Sequence, residues 1–218
     1  MNFVESLNVQ TFSSPNNKDY LKVFFLSDYS HLDNTEKDIL LHGFNQHTAQ
    51  NTIRCRQQNS IRYLLDYAGI TASMAYSSNG KPFIEAGPHI SVSHTGKSIA
   101  LSISSMNHGL DIEVSGTKAF KVRTRFCHGN ELLWAERLNE PDIFTAMWSV
   151  KEAIFKYFGE RVDFREHIDV QPFDLSASSI CACYNGVHGN VVFNCSYIRS
   201  DQLHMVIARS AGEQVVTC

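Results

Sequence analysis

The apolar positions change period several times along the chain, and each change predicts an element. After a polar opening with Ser13, Ser14, Pro15, Asn16 and Asn17, Leu21 to Leu26 reads as a short buried strand, followed by a polar connection at 28–33. From about Thr35 to Gly69 the spacing is helical. Ile39, Leu40 and Phe44 form one apolar group, and Ile61, Leu64, Leu65 and Ala68 form a clearer three-and-four period that stops at Gly69. Ser77 to Pro82 is a turn punctuated by Gly80 and Pro82. Three strands follow at His89–His94, Ser98–Ser104 and Leu110–Val114, with Asn107, His108 and Gly109 as a tight connection between the last two. In the first of these, Ile90 and Val92 alternate with Ser91 and Ser93.

The second half repeats the scheme. Glu131 to Leu138 reads as a helix ended by Pro141, and Phe144 to Phe158 as a longer one carrying Trp148 and Phe155 on its core face. Beyond Gly159 come β-type runs at Ile168–Val170, Ile180–Tyr184, Asn190–Ile198 and His204–Ala208, then a loose tail over the last eight residues. A helical stretch followed by short strands, twice over, predicts an α+β protein. We expect two comparable lobes, 1–115 and 116–218, with a site at their junction.

Composition narrows the function classes. With 43% hydrophobic and 19% charged residues the chain is an ordinary globular one, and a net charge of −3 gives no footprint for nucleic acid. No apolar run has the length of a membrane span, and the N-terminus reads without a signal peptide. Six cysteines without a CxxC pair read as reduced thiols, so the expected location is the cytoplasm.

Three groups of charged residues stand out. Asp111 and Glu113 flank Ile112, so at period two both carboxylates leave the same strand face. Such a pair is either an edge strand charged against aggregation or half of a cation site, for which magnesium suits hard oxygen ligands. Glu152 and Lys156 are one helical turn apart, as either a surface ion pair or functional groups. Lys118, Lys121, Arg123 and Arg125 occur without an acid, interleaved with Phe120, Val122 and Phe126. His94 ends a strand beside Thr95 and Gly96, and Arg54, Arg56 and Arg62 lie in the early helical region.

In order, the chain carries Gly80-Lys81-Pro82, Ser91-Val92-Ser93-His94-Thr95-Gly96, Gly109-Leu110-Asp111-Ile112-Glu113, and Trp148-Ser149-Val150-Lys151-Glu152-Ala153-Ile154-Phe155-Lys156. This set resembles the Sfp-type 4′-phosphopantetheinyl transferases, whose two signatures are the Gly-Asp-Glu strand and the Trp-Ser-x-Lys-Glu-Ala helix. The resemblance runs from about residue 35 to 160. It implies a pseudo-dimer of two α+β lobes that transfers the phosphopantetheine arm of coenzyme A to a carrier-protein serine and releases adenosine 3′,5′-bisphosphate. By the same resemblance, Asp111, Glu113 and Glu152 hold magnesium, and Glu152, Lys156 and Asp111 are catalytic. Lys81, Pro82, Ser93, His94, Lys151 and Lys156 are implied as contacts or supports for coenzyme A, and Glu131 matches a family acid between the signatures.

There is one departure. The family's early segment often has two basic residues; Lys37 matches the first, the second falls on Leu40, and Arg54 or Arg56 is the expected substitute. Because carrier proteins are acidic, the segment from Lys118 to Arg125 is the expected docking surface, with Phe120 or Phe126 as an apolar anchor. The protein is expected to act as a monomer, with no membrane or nucleic-acid partner. Alternatives are a non-catalytic relative that binds coenzyme A or a carrier protein, and another magnesium-dependent phosphoryl-transfer enzyme.

Overall fold

The computed structural model describes residues 7–13, 20–27, 53–160, 162–200 and 202–212. Lys37 and the helical period before residue 53 lie outside the described residues, as does the side chain of Arg54. Two compact units emerge, Met1–Ala75 with Pro82–Met106, and Tyr76–Lys81 with Asn107–Cys218.

In the first unit, β1 (Leu7–Ser13), β2 (Tyr20–Leu26), β5 (His89–Thr95) and β6 (Ser98–Ser104) form an antiparallel sheet in the order β1-β2-β6-β5. Helix α1 (Ile53–Tyr67) carries the period seen in the sequence. Its Ile61, Leu64 and Leu65 bury against Phe24, Leu26, Ile90, Ile99, Leu101 and Ile103. Gly69 ends this segment at φ 77°, a conformation that suits glycine. The short strands β3 (Met74–Tyr76) and β4 (Pro82–Ile84) pair with each other and flank the turn at 77–81.

The second unit holds β7 (Gly109–Val114), α2 (Lys118–Phe126), α3 (Gly129–Arg137), α4 (Asp142–Phe158), α5 (Phe164–His167), β8 (Ile168–Val170), β9 (Ser179–Gly186), β10 (Gly189–Arg199) and β11 (Leu203–Ser210). Its strands run antiparallel in the order β7-β11-β10-β9-β8. Helix α4 is buried on two sides. Ala146, Val150, Ala153 and Ile154 pack on the sheet with Phe193, Cys195 and Val206, while Ile143, Phe144 and Met147 pack with Ala119 and Phe126 of α2 and Ala135 of α3. Gly159, at φ 70°, terminates it, and its N–H bonds the Phe155 carbonyl at 2.9 Å.

The α+β class holds, with several corrections. The turn at 107–109 does not make a hairpin, because β6 already has β2 and β5 on its two sides. Strand β7 instead pairs with β11, placing Met205 opposite Ile112 and His204 opposite Glu113. Along the chain the units divide at 75/76, 81/82 and 106/107, and Asp111 and Glu113 lie in the unit that holds Glu152. The basic stretch at 118–125 is helical, and Pro141 precedes α4 rather than ending α3, whose last residue is Arg137.

Candidate active site

The site is built where β7 lies on α4. Gly109 sets the distance between them. A Cβ at this position would stand 2.7 Å from the Tyr157 backbone nitrogen and closer still to the Ala153 carbonyl oxygen, so only glycine lets the strand reach the helix backbone. At period two from Gly109, Asp111 faces the same helix, and its Oδ1 accepts a hydrogen bond from Lys156 Nζ at 2.7 Å. Asp111 is only 3% exposed although β7 is the sheet's edge, which removes the reading of a solvated charged edge for this residue. Glu113, two residues on, is half-buried.

Glu152 completes the group. Burial first, then the Asp111 carboxylate, pushes its carboxyl up to about 7; Lys156 opposes this shift and Glu113 adds to it. Three carboxylates and one ammonium therefore share one electrostatic neighbourhood, within a single unit. One turn before Glu152, Ser149 buries a hydroxyl that has no hydrogen-bond partner among the described residues. A set of hard oxygen donors whose mutual repulsion a cation would relieve fits magnesium.

Beside this group, Lys151 has a different place from the one expected. Its ammonium is fully buried and donates to Glu131 Oε2 at 2.7 Å and to the carbonyls of Phe126, Phe164 and Ile168 at 2.9, 2.8 and 2.8 Å. All four acceptors are protein atoms, so the side chain ties α2, α3, α5 and β8 to α4 rather than reaching outward to coenzyme A. Glu131 also accepts from the N–H groups of Val170 at 2.8 Å and His128 at 3.0 Å. It is a buried counter-charge and cap. His128, Glu131 and Asp169 bring ligand atoms close together, but Glu131 is occupied by these bonds and the Lys151 ammonium, an unsuitable neighbour for a metal ion.

Lys81 is likewise engaged. Its Nζ bonds Asn107 Oδ1 at 2.8 Å and the Tyr157 carbonyl, and burial holds its pKa below the ordinary lysine value. Pro82 opens β4 of the first unit; Ser93 is buried and His94 exposed on β5, and Arg56 is half-buried on α1. Arg62 is paired with Asp66 at 2.8 Å.

On α2 the expected apolar anchors are already used. Phe126 is buried edge-on to Trp148 at 5.2 Å, and Phe120 packs on Phe144 at 5.6 Å beneath the Arg123 guanidinium. Arg123 also bonds Glu136 of α3 at 2.8 Å. Lys118, Lys121 and Arg125 face solvent, and Leu133 of α3 is 61% exposed. Two site features escaped the sequence reading. Asn107 looked like turn punctuation, and His204, read only as a strand residue, is buried with bonds to Tyr197 Oη at 2.7 Å and Ser115 Oγ at 3.0 Å. The ladder pairing of His204 with Glu113, invisible without β11, was the missing signal.

Comparison with known proteins bears on the same elements. Residues 107–208 match the family model described as the 4′-phosphopantetheinyl transferase superfamily. The chain is 31% identical over 106 residues to the 4′-phosphopantetheinyl transferase Sfp of Bacillus subtilis (strain 168), covering 46% of each chain. It is 30% identical over 84 residues to the 4′-phosphopantetheinyl transferase gsp of Aneurinibacillus migulanus, covering 37% of this chain and 35% of that one. The chain thus spans less than half the length of these curated relatives. Strand β7 and helix α4, which bring the acidic groups together, both fall inside the span that matches the superfamily model.

Proposed function

We propose that the protein transfers the 4′-phosphopantetheine arm of coenzyme A to a serine hydroxyl of an apo carrier protein. The observation that carries this reading is the meeting of Asp111, Glu113, Glu152 and Lys156 on two adjoining elements of the superfamily-matched unit. In the reaction, the serine oxygen forms a bond to the β-phosphorus of coenzyme A. The bond from that phosphorus to the bridging oxygen breaks, adenosine 3′,5′-bisphosphate leaves, and the serine proton passes to a base.

We assign the base role to Glu152 on its place beside Asp111 and Lys156, where a carboxylate can take up the serine proton. Lys156 brings a positive charge to the side of the leaving phosphate, and Asp111 fixes its ammonium in place. Asp111, Glu113 and Glu152 would hold magnesium, which when bound supplies Lewis-acid neutralisation of the diphosphate. The exposed cations Lys118, Lys121 and Arg125 on α2 suit an acidic carrier protein. The apolar anchor shifts from Phe120 and Phe126 to Leu133, since Arg123 and Glu136 join α2 to α3.

The test is mass spectrometry of an apo carrier protein incubated with coenzyme A, magnesium and this protein. A gain of one phosphopantetheine on the carrier serine is the expected result; no gain with fatty-acid, polyketide and peptide-synthesis carriers would refute the proposal. Glu152→Gln is expected to lose most turnover, and near-normal turnover at saturating magnesium would remove Glu152 as the base. Charge reversal at Lys121 and Arg125 should raise KM for the carrier and leave KM for coenzyme A unchanged; equal losses would refute α2 as the docking surface.

A further inference from the structure

The turn before β4 is closed on itself. Gly80 adopts φ 81°, its N–H bonds the Ser77 carbonyl at 2.9 Å, and the Ser77 N–H and Oγ bond the Lys81 carbonyl and N–H at 2.9 and 3.1 Å. Lys81 leaves this turn with its stem lying over Gly159, where a Cβ would come within 2.7 Å of Lys81 Cδ. Its ammonium reaches the Tyr157 carbonyl in the last turn of α4, a turn whose carbonyls lack helical partners and whose dipole favours a cation. Asn107 closes the triangle. Its Oδ1 accepts from Lys81 at 2.8 Å and its Nδ2 donates to the same Tyr157 carbonyl at 3.1 Å.

Two corners of this triangle are joined along the chain to the acidic site. Tyr157 follows Lys156 directly, and Asn107 lies two residues before Gly109, at the entry to the strand that carries Asp111 and Glu113. We propose that Lys81 and Asn107 are positioning residues: bound to the Tyr157 carbonyl, they pin the end of α4 to the start of β7 and so keep Lys156 and Glu152 in register with Asp111. This rests on the transferase reading above. It gives the Lys81 side chain a role through α4 instead of a contact with coenzyme A.

The experiment compares Lys81→Met, Asn107→Ala and the double variant with the unmodified protein. It uses steady-state transfer to an apo carrier, calorimetric binding of coenzyme A, and hydrogen exchange at the end of α4. Loss of register should lower kcat about tenfold or more. KM and Kd for coenzyme A should stay within about twofold, the signature of an interaction needed for turnover rather than binding. Exchange at Phe158 and Gly159 should quicken in each variant. The double variant should be little worse than the worse single, because both groups act on one carbonyl.

A rise in KM and Kd at unchanged kcat would overturn the proposal in favour of direct contact. Unchanged kcat with unchanged exchange would overturn it outright, and so would fully additive losses. Should Lys81→Met fail to fold, Asn107→Ala leaves the lysine bond in place and decides by the same readings. If the unmodified protein transfers nothing, the functional reading falls, and the exchange measurements still report whether the clip holds the two elements.

Discussion

Replacing Glu152 by Gln should make the metal-free protein more stable, by an amount that depends on pH. The folded protein raises the Glu152 carboxyl from its ordinary 4.5 to about 7, chiefly by burial and by the neighbouring Asp111 carboxylate. The folded state therefore holds this proton more tightly than the unfolded chain, and ionisation works against folding. The sign follows from linkage: there is no penalty below about pH 4.5, it grows through the interval, and it is complete above about pH 7. At about 1.4 kcal/mol per tenfold difference in affinity, the full penalty is on the order of 3 kcal/mol. Urea unfolding in the presence of a chelator, at about pH 4.5, 6 and 8, reads it directly. The Gln variant should match the unmodified protein at the lowest pH and exceed it by up to about 3 kcal/mol at the highest. Added magnesium should then stabilise the unmodified protein more than the variant, because it binds the carboxylates of the native state. A stability difference that does not change with pH would refute the placement of Glu152 beside two other acids.

Two further substitutions test the frame of the site. Gly109→Ala would drive a Cβ into the α4 backbone, where no side chain can swing aside. The expected destabilisation is about 3 kcal/mol by urea unfolding, at the upper end of overpacking costs, with about a hundredfold loss of transfer rate from a displacement near 1 Å. Glu131→Gln leaves the fully buried Lys151 ammonium without its counter-charge and should cost about 3–5 kcal/mol in thermal or urea unfolding. A change within error would show that the three carbonyls alone satisfy Lys151.

Much of the described fold was legible because its elements bury one face. The period of Ile61, Leu64 and Leu65 gave α1, and the apolar run at 21–26 gave β2, each within a few residues of its end. Helix α2 hid in plain view. Ala119, Val122 and Phe126 follow helical spacing, but four cations among nine residues mask that period. Strand pairing could not be read, since a turn such as 107–109 serves equally for a hairpin or for a passage to another sheet. The acids that meet between β7 and α4 stand out in the sequence by their motifs, whereas the different partners of the lysines do not. Lys81, Lys151 and Lys156 are chemically alike, and only their acceptors separate a helix clip, a buried tie and a site cation.

The pairing of β7 with β11 has a consequence for synthesis. Strand β7 leaves the ribosome while its ladder partner, Leu203–Ser210, is still untranslated. At about 5–20 residues per second the gap lasts on the order of 5 to 20 s, during which β7 is a strand with both edges open. Charged side chains discourage pairing along an open strand, and Asp111 and Glu113, set two apart on one face, bring two charges to this one before β11 is made. A chain cut short before β11 would hold Asp111, Glu113 and Glu152 yet lack the strand that pairs with β7.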